Sequence, residues 1–340
     1  MKTLNDIRRQ IDPCLQKIEA ERKSTLATIT KAKQLYIYPG LLLLLAIPSF
    51  IFGIPILAGV LFICAIIACT YIAVFKVWPH RINYIANFKK EAFSSFTEAL
   101  YPHVYYAPGN YVPCSLFDQS ELFRSYTKYS GEDYFEGKTE SGHSFKFSEL
   151  KVQSESTTTD DDGHTTTSTT TVFTGLFFVL DVPNRVNGRI QVLPDTAEST
   201  FGRMGKFLQK NVGAFFKRST MVYMEEHPEF EKEFVVYGKD EEEVYRILTP
   251  NLLQAIYDLR YKWNIKLSIS FIGHQMYIAM PTNKNFFHPD LKHSVLEDKL
   301  LQELYDELAL CFSVVEDLSL EHEPNESRAL LNSKDNPFLS

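Results

Sequence analysis

Hydrophobic and polar positions recur with different periods along the chain, and each period predicts a different kind of element. Ile7, Ile11, Leu15 and Ile18, then Leu26 and Ile29, recur at helical spacing among charges, with Pro13 marking a helix start or a kink. Between Lys33 and Lys76 no charged residue interrupts the apolar run. At about 42 residues the run is roughly twice the ~20 that one helical crossing of a bilayer needs. It breaks at Phe52-Gly53-Ile54-Pro55, where Gly and Pro supply turn chemistry, so Tyr36–Phe52 and Ile54–Phe75 are predicted to form a transmembrane hairpin. Ile82, Ile85, Phe88, Phe93 and Phe96 restore helical spacing as far as Pro102. The two membrane helices then either continue as an antiparallel stalk or end in amphipathic helices lying on the membrane surface.

From about Tyr126 the period becomes two. Asp133–Thr139, Phe145–Thr158 and Thr165–Val182 are predicted strands, turning at Ser141-Gly142 and at Asp162-Gly163, which makes an antiparallel meander. Arg189–Leu193 is a further strand ending at Pro194, and Thr196 to about Lys210 has the pattern of an amphipathic helix. Short strands at Met221–Met224 and Glu233–Tyr237 follow. Thr249-Pro250 is an N-cap with Pro at the first helical position, opening a helix to about Trp263. Lys266–Ile272 and Gln275–Met280 alternate around Gly273-His274 as a last hairpin. From Ser294 to about Asp317, Leu296, Leu300, Leu301, Leu304, Leu308 and Phe312 form one stripe, expected on a core or oligomerisation helix. Strands and helices segregate, so the fold class is α+β. The expected order is a cytosolic amphipathic helix (1–34), the hairpin (35–77), and a juxtamembrane helix and linker (78–125). A cytosolic α+β domain (126–289), a C-terminal helix (290–318) and a mobile tail (319–340) complete it.

Composition sharpens this picture. Of 340 residues 45% are hydrophobic, with 26 Phe and 18 Tyr, which excludes a wholly disordered chain. Basic residues flank both ends of the hairpin, Lys31 and Lys33 before it and Lys76 and Arg81 after it, which predicts both termini in the cytoplasm of a multi-pass inner-membrane protein. Tyr36, Tyr38, Tyr71 and Trp78 stand where a headgroup layer would be. A signal peptide does not fit, because its apolar core of about 7–15 residues would lie near the terminus. The five cysteines follow no disulfide or metal spacing.

Several blocks of residues carry a family resemblance: Tyr129-Ser130-Gly131-Glu132-Asp133, Thr171 through Thr174-Gly175-Leu176-Phe177-Phe178 to Asp181, Val192-Leu193-Pro194-Asp195, and Phe230 through Tyr237. With Ile247-Leu248-Thr249-Pro250 and Tyr277-Ile278-Ala279-Met280-Pro281 they resemble the bacterial two-pass membrane family catalogued as domain of unknown function 3137. The resemblance covers roughly Arg81 to Pro289. It implies a membrane hairpin with a cytosolic domain and transfers no catalytic residue. The Thr-rich acidic hairpin and the long C-terminal helix stand outside the family pattern.

Candidate chemistry is sparse. Nucleophile elbow, zinc-binding helix, Walker loop and dinucleotide fingerprint are all missing, so no catalytic residue, metal ligand or cofactor is assigned. His288, Asp290 and His293 suit a solvated loop better than a metal site, and Asp160-Asp161-Asp162-Gly163 suits a hairpin tip better than a calcium loop. Thr157–Thr159 and Thr165–Thr171 suit exposed strand positions. Residues 101–340 are acidic, 23 Lys and Arg against 36 Asp and Glu, yet Arg185, Arg189, Arg203, Lys206, Lys210, Lys217 and Arg218 cluster with only Asp195 and Glu198 among them. Arg203, Lys206 and Lys210 share one helical face, and Phe215 and Phe216 with Tyr223 offer stacking surfaces, a combination that binds nucleotide, oligonucleotide or anionic lipid. An ordinary amphipathic helix with core aromatics explains the same residues. The leading expectation is a homo-oligomeric sensor-effector whose cytosolic domain binds an anionic ligand and controls the membrane bundle, in its sharper form a pore serving stress or antiphage defence. A membrane-anchored scaffold for a protein partner and a membrane-tethered enzyme are the alternatives.

Overall fold

The structure, a computed structural model, describes residues 4–123, 125–159, 165–195, 220–264 and 266–319. The chain divides into two compact units, Met1–Pro102 with Phe287–Tyr305, and His103–Phe286 with Asp306–Ser340. The architecture is α+β, with helices at the N-terminus and an antiparallel sheet after them.

In the first unit α1 (Leu4–Gln34) leads through a short turn at Leu35 and Tyr36 into α2 (Ile37–Ile51), and α3 (Pro55–Tyr71) returns beside α2. Gly53, at φ +78°, reverses the chain, and its neighbours close the turn: the N–H groups of Phe52, Gly53 and Ile54 donate to Pro48, Phe50 and Ser49 carbonyls at 2.8, 3.2 and 2.9 Å. Beyond α3 the helix continues to Leu100, interrupted only by π-helical turns at Ile72–Val77 and Phe88–Phe93. It runs antiparallel to α1, where Lys17 Nζ meets Glu91 Oε2 at 2.6 Å and Asn87 Nδ2 donates to Glu21 Oε1 at 2.7 Å. The stalk is therefore present. Pro13 lies inside α1 and does not mark its start.

Ile7, Ile11, Leu15, Ile18 and Ile29 are buried along the stalk, with Phe88, Phe93 and Phe96. Leu26 and Ile82 are exposed, and Tyr84 is buried instead. A uniform 3.6-residue count running back from Phe96 selects Ile85, which is half-buried. The π-helical turn at Phe88–Phe93 adds one residue and moves the fully buried position from Ile85 to Tyr84.

The second unit is a seven-stranded sheet in the order β1-β2-β3-β4-β6-β5, with β7 also on β4. The strands are β1 (Tyr105–Ala107), β2 (Lys128–Lys138), β3 (Ser144–Thr159), β4 (Thr165–Pro194), β5 (Thr220–Val222), β6 (Phe234–Gly238) and β7 (Ser268–Pro281). Every pairing is antiparallel. The meander of β2, β3 and β4 follows the alternation, and Gly142, at φ +90°, makes the first turn. The second turn, Asp160 to His164, lies outside the described residues.

Two expectations are corrected. Thr165–Val182 and Arg189–Leu193 belong to one long β4, and Lys266–Met280 does not form a hairpin, because β7 pairs with β4 on both sides of Gly273. Gly273 takes φ +62° opposite Val186, where the pairing register shifts twice. Such an irregularity lets a strand absorb extra residues on its partner without turning back. The alternation flanking a glycine is the same for a bulge and for a turn, so only the partner strand separates them.

The core forms where inward positions of β2, β3, β4 and β7 meet helical cover. Phe117 packs against Phe123, Phe173 and Phe177 with ring centroids 5.0 to 6.1 Å apart. Phe312, on the helix Asp298–Asp317, stands edge-on to Phe145 and Phe147 at 5.8 Å. Of the stripe on this helix Leu301, Leu304, Leu308 and Phe312 are buried, while Leu296, just before the helix, and Leu300 are half-buried. The helix Pro250–Lys262 starts as its sequence predicts, with the Thr249 hydroxyl accepting from Leu252 N at 3.3 Å.

Candidate functional site

The sheet unit turns carboxylates inward at one point. In a regular strand Glu132 and Asp133 would face opposite sides of the sheet. Pairing between β2 and β3 shifts register between Glu132 and Phe135, and Asp133 adopts φ +59°. Asp133 is fully buried as a result, and Glu149, directly opposite Glu132 on β3, is buried with it. One carboxylate oxygen from each of Glu132, Asp133 and Glu149 lies within 4.8 Å of the others.

Donors hold this cluster in shape. Tyr106 OH donates to Asp133 Oδ1 at 2.6 Å, and Phe286 N donates to Glu149 Oε2 at 3.0 Å. Burial pushes the Tyr106 phenol far up, and the Asp133 carboxylate adds to the shift. The Cys311 thiol is raised first by burial and then by Glu307, Asp133 and Glu149, so it stays protonated. Lys284 Nζ pairs with Glu307 at 2.9 Å. Carboxylates this close can share a proton or coordinate a hard divalent cation through oxygen. The sequence signal is only the adjacent pair Glu132-Asp133 in a stretch without strict alternation.

The basic candidates are placed only in part. Arg203, Lys206, Lys210, Lys217, Arg218, Phe215 and Phe216 lie outside the described residues, as does the predicted helix from Thr196. Arg189 is half-buried and ion-paired with Glu121, so its charge is already matched. Arg185 is exposed, and its carbonyl accepts from Arg246 Nη2 at 3.1 Å. Tyr223 is exposed, with its carbonyl bonded by Tyr245 OH at 2.7 Å. His293 Nδ1 meets Asp290 Oδ2 at 2.9 Å, while Asp290 Oδ1 accepts from Lys292 N at 2.9 Å, the geometry of a capped loop. The threonine ribbon is exposed as expected, with hydroxyls of Thr157 and Thr167 at 3.4 Å and of Thr159 and Thr165 at 3.3 Å.

In the helical unit, a second set of inward-facing ions ties the chain together. Arg22 Nη2 meets Glu19 Oε1 at 2.8 Å with both side chains buried, Arg22 Nη1 donates to Leu291 O at 2.8 Å, and Val295 N donates to Glu19 Oε2 at 3.1 Å. Arg8 donates to Leu296 O at 2.7 Å and pairs with Asp298. The Arg22 guanidinium, followed by the Val295 amide, holds the Glu19 carboxyl at about 2. Tyr84 OH is buried beside them without a hydrogen-bond partner among the described residues. Above this clamp α2 and α3 belong to two helices long and apolar enough to cross a membrane. Only Ala58 and Ala65 of α3 and Pro39 of α2 are buried, and the large apolar side chains face outward.

Residues 171–320 match the family model described as Protein of unknown function (DUF3137). The match supports the resemblance read from the sequence over that segment. It also takes in the C-terminal helix, which therefore does not stand outside the family pattern. No curated protein matches the chain. Among solved structures, the mycobacterial trehalose monomycolate transport factor A, TtfA, aligns at 8% identity and a TM-score of 0.30, over 61% of this chain and 88% of that one.

Proposed function

We propose that this chain is a membrane-held sensor-effector. Its hairpin sits in the cytoplasmic membrane with both termini on the cytoplasmic side, and its sheet unit receives an anionic ligand or partner there. Binding is relayed through the stalk to the packing of hairpins in a homo-oligomer. The observation that carries this reading is the helical continuity at the hairpin base: α3 runs on to Leu100, and α1 feeds α2 through a two-residue turn. A displacement of the stalk then has no flexible linker in which to dissipate before it reaches the apolar helices. The Arg8, Glu19 and Arg22 contacts supply a defined grip on the segment that leads into the C-terminal helix.

Native mass spectrometry of the full chain in nanodiscs, combined with the ratio of absorbance at 260 and 280 nm, tests the proposal. A defined oligomer carrying nucleotide or oligonucleotide supports it and leads to conductance recordings. A monomer carrying nothing contradicts it and leaves the hairpin as an anchor.

A further inference from the structure

The stalk changes its electrostatics where it meets the apolar hairpin. Lower down, Arg8, Lys17, Arg22 and Lys23 pair with Asp298, Glu91 and Glu19. No Asp or Glu occurs anywhere from residue 22 to residue 90. Lys31, Lys33, Lys76 and Arg81 lie in that acid-free stretch, are exposed, and make no ion pair or side-chain hydrogen bond with a described residue.

These four cations lie at nearly one level. Lys17 meets Glu91 and Asn87 meets Glu21, so α1 and the returning helix run antiparallel at a constant offset. Carried upward, that offset places Lys76 level with Ala32, between Lys31 and Lys33, and Arg81 about a turn and a half below. At ~1.5 Å rise per residue the band is roughly 9 Å deep. Tyr38, Tyr71 and Trp78 are exposed at or just above it, and the unbroken apolar surface of α2 and α3 follows. Four like charges gathered on one short band repel one another, and no described residue supplies a counter-charge to them. An anion beside exposed aromatic rings, at the foot of an apolar hairpin, is the phosphate of a lipid headgroup.

We propose that Lys31, Lys33, Lys76 and Arg81 form a collar that binds the headgroup phosphates of anionic phospholipids. The collar fixes the depth of the hairpin and makes the lipid composition of the surrounding leaflet an input to the stalk. This rests on the hairpin's residence in a bilayer.

The test uses the full chain in mild detergent, titrated with phosphatidylglycerol or phosphatidylcholine, with bound lipids counted by native mass spectrometry. A juxtamembrane cation contributes about a fivefold preference for anionic lipid. The wild type should therefore retain phosphatidylglycerol at least about fivefold over phosphatidylcholine. Replacing all four cations by Gln should abolish that preference, and Lys31→Gln or Lys76→Gln alone should lower it a few-fold. Replacing the three lysines by Arg should preserve it, as should Lys17→Gln, which removes a cation already matched by Glu91. A Gln variant that still prefers phosphatidylglycerol overturns the collar, as does displacement of the lipid by inorganic phosphate at equal concentration. Alkaline carbonate treatment of wild-type membranes separates the two readings: release of the chain overturns membrane residence itself, while retention without lipid preference overturns the collar alone.

Discussion

The two units use the same large apolar residues in opposite ways. Phe52 and Ile56 at the hairpin tip are 80% and 82% exposed, and Phe50, Ile51 and Ile54 around them are exposed too. In the sheet unit Phe135, Phe147, Phe173, Phe177 and Phe178 are fully buried. A continuous apolar patch on this scale marks a surface that a membrane or a protein partner covers. Both units pair their backbone: the amides at the hairpin tip bond within the turn, and the threonine ribbon pairs strand to strand while its side chains stay exposed. The helical unit holds outward the residue types that the sheet unit hides, and that contrast can be broken from either side.

The largest effect should come from the sheet core. Phe147→Ala removes a fully buried ring packed against Phe135 at 4.5 Å and Phe178 at 5.0 Å, and should cost about 3–5 kcal/mol in denaturant unfolding. A comparable loss is expected from Arg22→Ala, which strands the buried Glu19 carboxylate and should cost about 3 kcal/mol or more. Amide exchange at Val295 should rise with it, because that N–H bonds to Glu19.

The same pair has a definite pH signature. The Glu19 carboxyl is held at about 2, below its ordinary value, so the stability it provides is fully present above the ordinary carboxylate range. That contribution is lost as pH falls through the ordinary range towards 2. Unfolding midpoints of wild type and Glu19→Gln should diverge least at low pH and run parallel above about pH 5.

At the hairpin, Ile63→Arg puts a charge on an outward-facing position of α3 and should lower membrane retention by about 3 kcal/mol. Were that face in water, the same change would cost nothing. The smallest effect, about 1 kcal/mol, is expected from Thr249→Ala, which removes the cap of the helix Pro250–Lys262 and leaves the helical unit untouched.

How much of this was legible in the sequence depends on how local the signal is. The hairpin, its Gly53 turn, the Thr249 cap and the β2–β4 meander all rest on neighbours in the chain, and they read directly from spacing and turn chemistry. Gly273 did not, because a bulge and a turn share one local pattern and only β4 decides between them. Tyr84 takes the fully buried place read for Ile85 because a π-helical turn is invisible to a fixed helical period. The carboxylate cluster was hidden for the same reason: Asp133 reaches the interior only through a register shift against β3 and a left-handed backbone. The Arg22 and Glu19 clamp joins residues of α1 to carbonyl and amide groups almost a whole chain away, a link no periodicity reports.

The proposed placement has the outward apolar face of the hairpin in lipid and the sheet unit in water. Spin labels placed singly at Ile63 and at Thr167 in the full chain, reconstituted into vesicles, test it most directly through their collisions with oxygen and with a water-soluble nickel chelate. The label at 63 should collide with oxygen and be shielded from nickel, and the label at 167 should show the reverse. Equal nickel accessibility at the two positions would contradict it.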